Sequence, residues 1–128
     1  MLEIDGSHEE GGGQLLRTAV GLAAFTQQPV RVFNIRAKRP HPGLKNQHVE
    51  AVRAVAALCS AETKGVELGS REIVFTPGEI AARDLEVKIG TAGSIGLVLQ
   101  ALMIPAMRAA RPVTVRFKGG GTFGKWAP

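Results

Sequence analysis

The sequence has almost no cysteine. Cys59 is alone among 128 residues, so no internal disulfide can form, which fits a reducing compartment. Long hydrophobic runs are also missing. The longest, Ile95 to Ala110, is interrupted by Gln100, Pro105 and Arg108 and is too short to span a bilayer. The opening Met1-Leu2-Glu3-Ile4-Asp5 shows no basic stretch leading into an apolar core, so no secretory signal is visible and the cytoplasm is the expected location. No pair of His8, His41 and His48 stands at zinc-type spacing with a cysteine. Acidic residues are in short supply: 11 face 16 basic ones, for a formal charge of +5. That balance favours an anionic partner such as a nucleotide or RNA.

What is present is ordinary globular composition, 45% hydrophobic and 21% charged. A chain of this length can bury roughly two-thirds of its unfolded surface. Glycine is plentiful at 16 residues and clusters at 11–13 and 119–121, which points to specific backbone conformations rather than a linker.

Leu2 to Ile4 reads as a short strand, followed by a glycine-rich loop through Gly13. A helix is expected from about Gly13 to Thr26, with Leu15, Leu16, Ala19, Val20, Leu22 and Ala23 on one broad face, ending before Pro29. Val30 to Ile35 reads as a second strand. Residues 36–46 form a basic loop with Pro40 and Pro42 at its centre. A second helix is expected over about Lys45 to Ser60. Glu62 to Leu68 and Arg71 to Thr76 read as two strands turning at Gly69-Ser70. The first 78 residues thus read βαβαββ.

The pattern then restarts. Leu85, Val87 and Ile89 alternate with charged residues in a strand; a small-residue turn, Gly90-Thr91-Ala92-Gly93-Ser94, leads into a nearly all-apolar helix to about Ala109; Val113, Val115 and Phe117 mark another strand. The last ten residues read as an interrupted loop. The expected fold class is α+β. It has repeated βαβαββ units, one complete (1–80) and one truncated to strand-helix-strand (81–128), with helices on one face of a four-stranded mixed sheet.

Three places could carry chemistry. The loop before the first helix sets Gly11-Gly12-Gly13 at a helix N-terminus, where free N–H groups and the helix dipole favour anions. Arg17 lies one turn further on, and Asp5, Glu9 and Glu10 stand beside it, as a divalent cation bridging carboxylate and phosphate would require. The alternative is a glycine-rich turn whose glutamates cap the helix; this triple glycine matches neither GxxxxGK[ST] nor GxGxxG. The second place is the basic loop, with Arg36 and Arg39 after strand two and Gln47-His48 opening helix two. In a right-handed βαβ unit both loops lie at the same end of the parallel strands, so Glu10, Arg17, Arg36, Arg39 and Gln47 are expected in one cationic cleft. The third is Gly90 to Ser94, which suits either an anion cradle or close helix–sheet packing.

Asp5-Gly6-Ser7 followed by Glu10-Gly11-Gly12-Gly13-Gln14-Leu15-Leu16-Arg17 resembles the opening signature of the RNA 3'-terminal phosphate cyclases. The resemblance continues at Ile35-Arg36-Ala37-Lys38-Arg39, Pro42-Gly43-Leu44, Gln47-His48, Glu67-Leu68-Gly69-Ser70, Gly90 to Ser94, Leu97-Val98-Leu99-Gln100 and Gly120-Gly121-Thr122. It covers essentially the whole chain, in order and with compatible spacing.

The resemblance implies a fold of three βαβαββ units plus a small inserted domain. It also implies ATP and a divalent metal (Mg or Mn) as cofactors and an RNA 3'-phosphate end as substrate. In that chemistry an active-site His takes AMP from ATP and passes it to the 3'-phosphate, and the neighbouring 2'-hydroxyl displaces it to leave a 2',3'-cyclic phosphate. Carried over residue by residue, Glu10 would ligate the metal. Gly12, Gly13, Gln14, Arg17, Arg36, Arg39 and Gln47 would hold phosphates of ATP or of the RNA end, arginine doing so through its bidentate fork. Gln14 and His48 match family positions with supporting roles.

Three departures stand out. The family nucleophile lies beyond residue 128, and none of the three histidines matches it, so the chain alone is expected to be inactive. Phe123 to Pro128 replaces the usual acidic, proline-bearing continuation that helps enclose the adenine, and His8-Glu9 replaces a smaller pair. The rival reading is a non-catalytic relative acting in ribosome assembly; the intact Arg17, Arg36, Arg39 and Gln47 set favours the catalytic branch. An apolar third helix in a truncated unit would be left partly uncovered, from which a homo-oligomer is expected.

Overall fold

A computed structural model describes residues 1–7, 13–80, 84–90 and 94–119, and the backbone of 124–126. Chain order is β1 (Leu2–Asp5), α1 (Gly13–Thr26), β2 (Val30–Phe33), α2 (Asn46–Cys59), β3 (Glu62–Lys64), β4 (Ile73–Thr76), β5 (Asp84–Lys88), α3 (Ser94–Ala106), β6 (Thr114–Lys118) and β7 (Gly124–Trp126). The first four strands form one mixed sheet in the order β1-β2-β4-β3. In it β1 runs parallel to β2, while β4 is antiparallel to both β2 and β3. The expected α+β class and four-stranded mixed sheet are therefore present.

The alternation along the strands decides which face is covered. Val30 and Val32 of β2 and Ile73 and Phe75 of β4 point into the core, and Leu16, Val20, Val52, Val55 and Leu58 of α1 and α2 pack with them. Burying such side chains stabilises by roughly 1.5–3 kcal/mol each. A second sheet, β5-β6-β7, repeats the parallel strand-helix-strand arrangement around α3, with Leu85 opposite Val115 and Val87 opposite Phe117. α3 lies against both α1 and α2. Gly21 of α1 faces α3: a side chain there would meet the Ala101 carbonyl at 3.2 Å and the Pro105 ring at 3.6 Å. Pro105 has no N–H to give the Ala101 carbonyl, so the helix lacks that internal bond.

The structure differs from the sequence expectations in four places. Strand two ends at Phe33, because Asn34 and Arg36 adopt left-handed backbone angles (φ 54° and 52°). The hairpin does not turn at Gly69-Ser70. β3 stops at Lys64 and the connection runs 65–72, because residues of this segment also bond to the basic loop: Gly69 N–H donates to the Leu44 carbonyl (2.8 Å), and Leu44 N–H to the Ser70 carbonyl (2.9 Å). α3 ends at Ala106 and tightens into turns through Ala109. The segment read as a terminal loop contains β7, which pairs antiparallel with β6. Three residues are too few to show a period; pairing with a partner makes them a strand.

Val98, Ala101, Leu102 and Pro105 of α3 are buried, while Met103 and Met107 are exposed. No helix among the described residues is long and apolar enough to cross a membrane.

Candidate functional site

The site is built around His48, in the first turn of α2. Its position is set locally. Lys45 precedes the helix in an extended conformation, and its backbone N–H donates to His48 Nδ1 at 2.9 Å, the reciprocal half of a capping box. With Nδ1 accepting, the neutral ring carries its proton on Nε2. The ring is buried at 5% exposure. Burial first, then the charges of Arg36, Arg17 and Lys45, pushes its pKa down to about 4, so it is uncharged at neutral pH.

Nε2 faces the start of α1. A side-chain carbon added to Gly13 would lie 2.5 Å from His48 Nε2 and 2.7 Å from Arg17 Nη1. Gly13 therefore keeps open the space between the two donors. Arg17, one turn into α1, is half-buried, and burial lowers its pKa, though an arginine stays charged. Gln47 is half-buried beside His48 in the opening turn of α2.

The basic loop is fastened rather than loose. Arg36 Nη1 donates to the carbonyls of His41 (2.8 Å) and Gly43 (2.9 Å), closing the loop on itself. Ile35 N–H donates to the Arg71 carbonyl and Gly43 N–H to the Ile35 carbonyl, at 2.9 and 3.0 Å. Gly43 has φ +89°, and a side chain there would run into the backbone of Gly69. Arg39 lies on the exposed outer part of this loop, where its N–H donates to the Arg36 carbonyl at 3.0 Å.

Of the residues expected at the site, Gly13, Arg17 and Arg36 thus converge on His48, with Gln47 adjoining. Gln14 is exposed and borders a cleft between α1 and α3 that Arg17 also lines. Glu10 and Gly12, with His8 and Glu9, lie outside the described residues. Asp5, expected beside the metal, uses Oδ1 to accept from Ser7 N–H and Oγ at 2.9 and 2.6 Å, holding the turn after β1. The Gly90 turn has a partner of its own: Gly90 N–H donates to both carboxylate oxygens of Glu50, at 3.1 and 3.0 Å. Thr91, Ala92 and Gly93, the rest of that turn, lie outside the described residues.

The sequence reading did not place His48 at the centre of these residues. The signal was its place on the buried stripe of α2 with Val49, Val52, Val55 and Cys59, three residues after the helix cap. A polar ring on that stripe must find a partner or face a polar space.

Chemically, the arrangement sets the His48 Nε2 proton and the positive charges of Arg17, Arg36 and Lys45 near one another. Such a set suits an anion, and an arginine fork suits a phosphoryl group. The family model described as RNA 3'-terminal phosphate cyclase matches residues 8–128. The chain belongs to this family. It is 56% identical over 128 residues to the RNA 3'-terminal phosphate cyclase of Methanopyrus kandleri, covering all of this chain and 36% of that one. It is 54% identical over 129 residues to that of Pyrococcus furiosus, covering 37% of it. With that of Nitrosospira multiformis it shares 57% over 120 residues, 94% of this chain and 34% of the relative. The chain thus spans little more than a third of the length of these cyclases, and the match takes in the whole His48 site.

Proposed function

We propose that this chain forms the phosphate-gathering part of an ATP-dependent RNA 3'-phosphate cyclase and holds phosphoryl groups of the RNA 3' end or of ATP between Arg17, Arg36 and His48. The observation that carries this is the convergence of Arg17 and the His48 Nε2 proton on the space above Gly13. A neutral imidazole donor beside two guanidinium groups binds a dianion without competing for its own proton.

ATP's phosphates suit this set of donors. A divalent metal would need oxygen ligands, which the cations here do not supply; Glu10 is the residue proposed to give one, the phosphates giving others. The metal would draw charge off the phosphates, while Arg17 and Arg36 orient them.

On this reading the chain alone does not form a covalent adenylate. His48 is a poor nucleophile, because its Nδ1 lone pair accepts the Lys45 N–H and its Nε2 carries the proton. Incubation with α-labelled ATP and Mn²⁺, followed by denaturing electrophoresis, should leave the chain unlabelled; a labelled band would refute this. Titration calorimetry with inorganic phosphate tests the site itself. Arg17→Ala should weaken binding by roughly 10- to 100-fold, the effect of one lost charged hydrogen-bonding group. Equal affinity of the variant and the parent chain would remove Arg17 from the site.

A further inference from the structure

The cleft between α1 and α3 is not explained by phosphate binding, although Arg17 lines it. We propose that it seats the terminal nucleoside of a strand whose 3'-phosphate is held at Arg17. This rests on the reading that Arg17 receives that phosphate.

Position is the first argument. Arg17 belongs to both spaces: its Nη1 lies with His48 Nε2 near Gly13, and Arg17 also lines the cleft. A group in the cleft is therefore covalently within reach of an anion at Arg17. The α1 wall runs from Gln14 to Gly21, which at 1.5 Å per residue is about 10 Å, the length scale of one nucleoside with its phosphate. The cleft volume of about 250 Å³ is that of a single small ligand and not of a peptide helix.

Chemistry is the second. Among the described residues Arg17 is the only charged side chain lining the cleft, so the occupant is neutral apart from its phosphate. The walls are mainly apolar, with Met103 and Ile104 contributed by α3. Met103 is 58% exposed at the cleft, and its flexible thioether can lie against a flat ring of either size. Gln14, Thr18 and Gln100 add polar groups that can each donate or accept. Gln100 is the exposed polar member of the Leu97-Val98-Leu99-Gln100 motif, which the phosphate site leaves without a purpose. Amide and hydroxyl groups of this kind accept any base edge after rotation. The cleft thus suits a terminal nucleoside of any base.

A nucleoside joined to phosphate could come from an RNA 3' end or from ATP, and the test separates them. The 128-residue chain is titrated with 3'-UMP, 3'-AMP, ATP and inorganic phosphate, and the Met103 methyl resonance is followed by NMR. Both 3'-nucleotides should bind about tenfold tighter than phosphate and by similar amounts. Both should shift the Met103 methyl signal, which phosphate should leave in place. Thr18→Phe, at an exposed position on the α1 wall, should abolish the nucleoside gain while phosphate affinity stays the same; Gln100→Ala should reduce the gain. If 3'-nucleotides bind no tighter than phosphate and Met103 does not respond, the cleft proposal is overturned while the Arg17 site stands. If only ATP gains, the occupant is not a 3'-terminal nucleoside and the proposal fails. If phosphate itself does not bind, the Arg17 reading and this inference fall together.

Discussion

The molecule contains two parallel strand-helix-strand arrangements, and the turns that lead into their helices have opposite chemistry. In the sequence each helix is preceded by small residues, Gly11-Gly12 before Gly13 of α1 and Gly90 to Gly93 before Ser94 of α3; of these, Gly13, Gly90 and Ser94 are among the described residues. At the first turn Gly13 looks onto a neutral His48 flanked by Arg17, Arg36 and Lys45. At the second, Gly90 N–H faces the carboxylate of Glu50. His48 and Glu50 stand two residues apart on α2, so one helix serves both turns. What differs between Gly13 and Gly90 is the side chain that α2 places opposite each.

The largest expected break of this comparison is through pH. His48 has a pKa of about 4 in the folded chain against 6.5 for the free side chain. The unfolded chain therefore binds more protons between those values. Stability from the neutral ring is full above pH 6.5, falls as the pH drops and is lost by about pH 4, a change on the order of 3 kcal/mol. Urea unfolding at pH 7 and pH 4.5 should show this loss, and His48→Gln should remove most of it. A variant with an unchanged pH slope would mean that His48 is not the group responsible.

A sharper contrast comes from adding one methyl group to each turn. Gly13→Ala pushes on His48 Nε2 and Arg17 Nη1, so phosphate affinity should fall about tenfold. Among the described residues Gly90→Ala meets only Glu50 Oε1, at 3.8 Å, an ordinary contact, and affinity should not change. Calorimetry on the pair settles whether the first turn alone receives anions. Glu50→Ala should cost about 1 kcal/mol of stability in chemical denaturation, since its bonds to Gly90 are solvent-exposed, and should leave phosphate affinity intact.

The smallest effect belongs to the exposed charges of the two sheets. Arg31 bridges Glu3 and Glu72 on the first, and Lys118 reaches Glu86 on the second. All are solvent-exposed and screened by salt, so removing either set should change the melting temperature no more than raising the salt does.

The repeated hydrophobic periods made the helices and central strands legible, because Val30, Val32, Ile73 and Phe75 must share a face. Elements that depend on a distant partner were not. β7 exists through β6, and residues 65–72 leave the hairpin for Leu44. Within the site, Arg17 and Arg36 could be placed from strand order and loop position. His48 could not be weighed in the same way. Its neutrality comes from burial and from three cations, Arg17 on α1 and Arg36 and Lys45 in the basic loop, and its tautomer from one backbone N–H.

The fastening of the basic loop has a consequence for its motion. By composition, residues 36–46 are polar and proline-bearing, the kind of segment that usually trades its amide protons with water quickly. Yet the N–H groups of Ile35, Gly43, Leu44 and Gly69 are all engaged across this loop and the 65–72 connection. In deuterium exchange these four amides should behave like those of a sheet, opening only in rare excursions. The guanidinium of Arg36 would then meet an incoming anion from a scaffold already in place, with little ordering left to do on arrival.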